Sequence, residues 1–332
     1  MFIVMKKILG VAIIFIVFAL LLIKTPKKQV EKKLQKVIMV MPFITSPQWT
    51  TYYTTLNKGY YKDEGLDVEI QYSSKGNVGS IEQLIGGKAD LIHTGEESVI
   101  MARSKGLDVV SVYPLEPTNV FYIVSEKSKN ITKPEDLVRK KVGVIGVGSG
   151  TYDNLLVILN SSKIDKNQVE IIQAGATQVQ AFIERKFDAA PIHLNSLPAV
   201  KEKIPELNVI KASDYSGIGR GHIVTSGKLI KSNPELIEKF LRATKKGLEY
   251  AVNHPEEAID IYNIVNPDAK SQKKLSLNIW NELIKAHNYR DNLPGIDKLQ
   301  NWQKSQDVLF DSGLITKKTD VAAMFTNKFI PK

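Results

Sequence analysis

Gly87-Lys88-Ala89-Asp90-Leu91-Ile92-His93 and Arg185-Lys186-Phe187-Asp188-Ala189-Ala190-Pro191-Ile192-His193 lie about a hundred residues apart and share one plan. Each has a Lys-x-Asp turn after a helical pattern, then a short apolar run, then a histidine. Asp favours the turn because its side chain bonds nearby backbone amides. The apolar run has the length of a short buried strand, which brings the histidine out at the strand end. Two copies, each inside its own strand–helix alternation, predict two similar α/β lobes facing across a cleft, since ligands bind beyond the carboxyl ends of strands in open α/β sheets. The echo alone also admits chance similarity between two common helix-to-strand turns.

The rest of the chain extends this reading. Strand-length runs fall at Val37–Phe43, Leu66–Ile70, Val109–Tyr113, Asn119–Ser125, Val142–Val147 and Val169–Gln173, with shorter ones at Val209–Lys211 and His222–Thr225. Helical spacing occupies Thr50–Tyr61, Ile81–Ile85, Glu96–Arg103 and Val179–Arg185. From Asn233 onward the pattern is almost wholly helical, opening at Pro234-Glu235-Leu236-Ile237 and again at Pro255-Glu256-Glu257, with proline at the first helical position and acids at the positive helix end. Strand–helix alternation predicts parallel sheets covered by helices. The chain is expected to cross between lobes near Asn119 and to return near His222. One lobe then comprises residues 37–118 with 226–332, and the other residues 119–225.

Composition narrows the function. The 332 residues contain no cysteine, which excludes a disulfide framework, a thiolate metal site and a cysteine nucleophile. Lys6 and Lys7 precede an apolar run from Ile8 to Ile23. Sixteen helical residues reach about 24 Å, slightly short of the ~30 Å hydrocarbon core. No small-x-small cleavage site follows. Residues 1–36 therefore read as an uncleaved or inefficiently cleaved anchor with a lysine-rich tether. These residues hold eight lysines and one glutamate, so of the net charge of +10 only +3 belongs to the rest of the chain. The high isoelectric point is a membrane-proximal property suited to anionic headgroups. No basic stripe with interleaved aromatics points to nucleic acid.

Lys58-Gly59-Tyr60-Tyr61-Lys62-Asp63-Glu64-Gly65-Leu66-Asp67-Val68-Glu69-Ile70 resembles the "KGYF…EGLDVE" segment of solute-binding proteins of ABC importers, in the nitrate/sulfonate/taurine class that also holds binding proteins for the thiamine pyrimidine precursor. The likeness continues through Gly87-Lys88-Ala89-Asp90, through the I-x-x-P-E-D-L…K-K-V-G-V pattern of Ile131–Val144, and through Asn233-Pro234-Glu235, covering most of residues 37–265. The resemblance implies a periplasmic-binding-protein-like α/β fold of two lobes around a ligand cleft, preceded here by the N-terminal hydrophobic helix. It implies a small-molecule solute, ABC permease subunits as partners, and a place at the extracytoplasmic face of the cell membrane, anchored or secreted after cleavage. No cofactor is expected.

Four loops carry the candidate ligand contacts. Gln48, Trp49 and Thr50 follow the first strand, where a tryptophan can stack on a planar ligand. The pyrimidine-binding relatives carry Asn-His-x-Gly near this point, where this chain has Gln48-Trp49-Thr50-Thr51. His93, Thr94 and Glu96 follow the first echo strand, where a carboxylate could accept from an amino group; Glu96 and Glu97 also fit an acid-stabilised helix start. Ser149, Gly150, Thr151 and Tyr152 lie between a strand and a helix, where glycines allow close approach and free amides attract anions. The loop has neither the Gly-Lys-Ser/Thr of a phosphate loop nor the spacing of a dinucleotide fingerprint. His193 and Asn195 follow the second echo strand. Tyr215 and Arg220 belong either to the ligand or to a surface loop.

The five histidines lack zinc spacing, and no Gly-x-Ser-x-Gly elbow occurs. The expected function is capture of a small molecule by lobe closure for an ABC importer, with a planar heterocycle such as a pyrimidine thiamine precursor as the first ligand class. An organosulfonate or other oxyanion is the alternative. The family resemblance also brings in a pyrimidine synthase that consumes its own histidine; its relatives use a cysteine-rich metal motif, which this chain lacks.

Overall fold

The computed structural model describes residues 33–215 and 218–331. The expected N-terminal hydrophobic helix and most of the tether lie outside them. Among the described residues no helix is long and apolar enough to cross a membrane.

The strands are β1 Gln35–Met41, β2 Leu66–Tyr72, β3 Leu91–Gly95, β4 Val109–Glu116, β5 Phe121–Glu126, β6 Lys141–Val144, β7 Glu170–Gln173, β8 Ala189–His193, β9 Leu207–Lys211 and β10 Gly221–Ser226. The helices of eight residues or more are α1 Thr50–Asn57, α2 Gly76–Ile85, α3 Glu96–Ser104, α4 Gly150–Ser161, α5 Pro234–Asn253, α6 Pro255–Val265, α7 Lys273–His287 and α8 Leu299–Asp311.

The strands form two five-stranded sheets, ordered β2-β1-β3-β10-β4 and β7-β6-β8-β5-β9. Each has a parallel half, β2-β1-β3 or β7-β6-β8, and a fourth strand antiparallel to both neighbours, β10 or β5. The chain leaves the first sheet after β4 and re-enters it at β10. The two echo strands, β3 and β8, hold the same third place in their sheets.

The turn aspartates make that place. Asp90 Oδ2 accepts from the Ile38 amide of β1 at 2.8 Å, and Asp188 Oδ2 accepts from the Lys141 amide of β6 at 2.9 Å. In both sheets an aspartate fastens the start of the third strand to the second.

Alternation sorts the side chains of β1 between two faces. Val37, Met39 and Met41 join the core beneath α1, α5, α6 and α7, and Val40 joins a second core with Trp302 and Leu309 of α8. The second sheet has its own pair of clusters, one with Leu155 and Ile158 of α4 and one with Phe182 and Val200. Helix α5 begins where expected, with Pro234 in its first turn and Asn233 Oδ1 accepting from the Leu236 amide at 3.3 Å.

Several elements differ from the sequence reading. The helix expected over Thr50–Tyr61 breaks after Asn57, because Gly59 takes φ +75° and starts a separate turn at Tyr60–Asp63. Strand β6 stops at Val144 rather than Val147, since Thr151 Oγ1 takes the Ile145 amide. Strand β4 runs on to Glu116 through Pro114; β4 is a sheet edge, where a missing N–H is tolerated. The C-terminal region is less helical than expected. Asn288, at φ +54°, closes α7, and the only helix described after α8 is the short 3-10 turn Val321–Ala323.

Candidate ligand-binding site

The carboxyl ends of β1, β3, β6 and β8 point to one cavity of about 380 Å³ lined from both sheets. Of the residues picked from sequence, Gln48, Trp49, His93, Gly150, Thr151, His193 and Asn195 line it. Thr50, Thr94, Glu96, Ser149 and Tyr152 do not, and each has other work or none visible. Thr50 Oγ1 donates to the Pro47 carbonyl at 2.6 Å, fixing the start of α1. Thr94 is fully buried with its hydroxyl unpartnered. Ser149 caps α4 by accepting from the Tyr152 amide at 3.3 Å, and Tyr152 packs against the second sheet's core.

Glu96 is fully buried and carries a two-pronged pair: Arg220 Nε donates to Oε2 at 2.8 Å and an Arg220 terminal nitrogen donates to Oε1 at 2.7 Å. A planar guanidinium on a carboxylate is a strong, geometrically specific contact. It anchors the segment before β10 to the start of α3, and Arg220, not Glu96, reaches the cavity wall.

The echo histidines sit in matching aromatic pairs. The Trp49 ring meets His93 edge-on at 4.8 Å, and Phe121 meets His193 edge-on at 5.2 Å. Rings from both sheets thus wall the cavity with surfaces suited to a flat ligand. Trp49 is itself pinned, its indole N–H donating to the Ile44 carbonyl at 3.2 Å.

A polar chain crosses from one sheet's loops to the other's. Tyr52 Oη lies 3.1 Å from His93 Nδ1, and His93 Nε2 lies 3.4 Å from Glu116 Oε2. The Gln48 side-chain amide donates to Glu116 Oε1 at 2.9 Å, and Asn195 Nδ2 donates to Gln48 Oε1 at 2.9 Å and to Ser46 Oγ at 3.2 Å. Burial alone would raise the Glu116 carboxyl, but the facing imidazoles, His93 first, take it down to about 2. Burial lowers His193, leaving it neutral at pH 7. Its Nδ1 accepts from the Asn195 amide at 3.2 Å, so the ring proton of the neutral form sits on Nε2.

Glycines make the room. A Cβ at Gly221 would come 2.2 Å from Glu116 Oε2, and one at Gly150 2.8 Å from the Phe121 ring. Glu116, Phe121 and Glu97 line the cavity without having been picked as contacts from sequence. Glu116 was hidden behind Pro114. Among the described residues, no group of three or more histidine, aspartate or glutamate side chains is placed to hold a metal ion.

Comparison with known proteins agrees with the fold. The chain is 28% identical to the riboflavin-binding protein RibY of Chloroflexus aurantiacus, an alignment covering 92% of this chain and 89% of that one. It is 24% identical to the formylaminopyrimidine-binding protein of Halalkalibacterium halodurans, over 70% and 71%. It is 22% identical to the 4-amino-5-hydroxymethyl-2-methylpyrimidine phosphate synthase of Legionella pneumophila, over 89% and 92%. Among solved structures, the putative periplasmic sulfonate-binding protein SsuA of Methylobacillus flagellatus superposes with a TM-score of 0.69 at 18% identity, covering 90% of this chain and 93% of that one. The same periplasmic-binding-protein architecture is thus present in this chain. A family model described as NMT1/THI5 like matches residues 46–258, and the chain belongs to that family.

Proposed function

We propose that the protein is an extracytoplasmic solute-binding protein that captures a planar heterocycle between its two sheet-centred halves and hands it to the permease of an ABC importer. The observation that carries this reading is the pairing of Trp49–His93 with Phe121–His193 around one cavity at the strand ends. Flat aromatic walls favour stacked ligands. The matching relatives include binding proteins named for riboflavin and for formylaminopyrimidine. Closure is driven by contacts made only when both halves meet the ligand. The solute is released unchanged, and the N-terminal segment holds the protein beside its permease.

A thermal-shift screen with riboflavin, 4-amino-5-hydroxymethyl-2-methylpyrimidine and taurine tests the reading, since binding raises the unfolding temperature by mass action. A shift with a heterocycle supports it. A shift with taurine alone favours the oxyanion alternative, for which the Gly150–Thr151 start of α4 at the cavity wall speaks. Iron-dependent loss of a histidine with formation of a pyrimidine would overturn the binding role.

A further inference from the structure

Glu97 has one close partner, its own backbone amide, and no other side chain bonds it. It sits in the first turn of α3, is only 3% exposed, and lines the cavity. Its carboxyl group folds back over Gly95, where a Cβ would lie 2.0 Å from Oε1 and 2.6 Å from Oε2. Its Oε2 makes no hydrogen bond. Arg220 is the only lysine or arginine among the described lining residues, and its guanidinium is committed to Glu96. The charged groups acting on Glu97 are the neighbouring Glu96 and, from α4, Asp153, which is itself buried with Oδ1 unpartnered. Burial, helped by the nearby acids and opposed by the bond from its own backbone amide, pushes the Glu97 carboxyl up to about 8. At pH 7 the group therefore holds its proton, and an O–H donor stands beside a C=O acceptor in one plane.

We propose that Glu97 selects the ligand, its carboxyl group pairing in plane with a heterocycle edge that presents an N–H beside a ring nitrogen or a carbonyl. This rests on the heterocycle reading above and names the edge that the site recognises. The ligand N–H donates to the carboxyl C=O, and the carboxyl O–H donates to the ring nitrogen or carbonyl. A buried polar group left unmatched is costly, so a ligand without that edge is rejected. A sulfonate, phosphate or carboxylate would enter a cavity that holds Glu97 and the ionised Glu116 and whose guanidinium is already taken.

The test is calorimetric titration of the full chain with riboflavin, 4-amino-5-hydroxymethyl-2-methylpyrimidine and taurine, using the parent, Glu97→Leu and Glu97→Gln. Each heterocycle is compared with an analogue whose edge is methylated, 3-methylriboflavin or the 4-dimethylamino pyrimidine. The bound heterocycle is expected to lose tenfold or more in affinity in Glu97→Leu, with most of it restored in Glu97→Gln, which keeps a donor beside an acceptor. The methylated analogue is expected to lose tenfold or more on the parent protein, an arm that does not depend on any variant folding. Heterocycle binding that neither Glu97→Leu nor methylation changes by more than threefold overturns this inference and leaves the function standing. Binding of taurine with neither heterocycle bound, or of none of the three, overturns both.

Discussion

The side-chain amide of Asn195 donates to Oε1 of Gln48 at 2.9 Å, tying the loop after β8 to the loop after β1. Glu116 sets the direction of this bond. An ionised carboxylate only accepts, so Gln48 must turn its NH₂ to Glu116 and its oxygen to Asn195. Asn195 must then give its NH₂ to Gln48, which leaves its own Oδ1 buried and unpartnered. One bond is thus both a strap between the two halves and the reason a second acceptor lies idle there.

Asn195→Leu removes the strap without touching either aromatic pair. A net hydrogen bond is worth about 0.5–1.5 kcal/mol. The dissociation rate of a bound heterocycle is expected to rise about threefold to tenfold, with the association rate little changed. Stopped-flow fluorescence separates the two, and an unchanged dissociation rate would show that the bond does not hold the halves together.

Glu97 makes stability depend on pH. Its carboxyl is held at about 8 in the folded chain, against an ordinary value of 4.5. Between those limits the unfolded chain releases the proton and the folded one keeps it, so rising pH favours unfolding. The full contribution is present below about pH 4.5 and is lost by pH 8. Glu97→Gln lacks this loss. Its unfolding temperature, measured without ligand, should gain on that of the parent steadily from pH 5 to pH 8. Asp153, pushed up to about 7 by burial, also acts on Glu97, so the comparison is made with Asp153→Asn in both proteins. A pH-independent difference would mean that Glu97 is ionised in the fold.

Gly221→Ala tests the close approach under the cavity. The added Cβ would lie 2.2 Å from Glu116 Oε2 and 2.7 Å from His93 Nε2, so both buried side chains would have to shift and loosen their contact. Overpacking of this kind costs about 1–3 kcal/mol. Gly295→Ala, where a Cβ meets nothing within 4 Å, serves as the control. Urea unfolding midpoints should drop for the first and hold for the second; equal midpoints would mean that the Glu116–His93 contact is slack.

The echo was legible because it records a local need repeated in each sheet. Asp90 and Asp188 bond the neighbouring parallel strand of their sheets in the same way, and His93 and His193 each meet an aromatic ring edge-on. A turn that must present a carboxylate to a neighbouring amide leaves its mark within a few residues. The division of labour between Glu96 and Glu97 leaves none. They are neighbours on α3, about 100° apart around its axis, and the sequence treats them alike. Only the arrival of Arg220, from 124 residues further along, pulls Glu96 into an ion pair and leaves Glu97 to the cavity. The sequence reading named Glu96 as the candidate contact, whereas Glu97 is the one that lines the cavity. Glu116 escaped for another reason: Pro114 reads as a strand end unless the strand is known to lie at an edge.

Arg220 offers the sharpest stability test, because its partner is fully buried. Arg220→Met leaves Glu96 without its counter-charge, and breaking a buried pair from one side costs about 3–5 kcal/mol. Arg220→Lys should recover only part of that, since an ammonium cannot reproduce the two-pronged contact at 2.7 and 2.8 Å. The double change Arg220→Met with Glu96→Leu removes both charges and should return most of the loss, because the penalty comes from the stranded carboxylate rather than from the missing attraction. Urea unfolding at pH 7 of the parent, Arg220→Met, Glu96→Leu and the double variant gives the coupling directly. Additive losses in the double variant would mean that Arg220 acts through its contact with Asp297, at 3.7 Å, and not through Glu96.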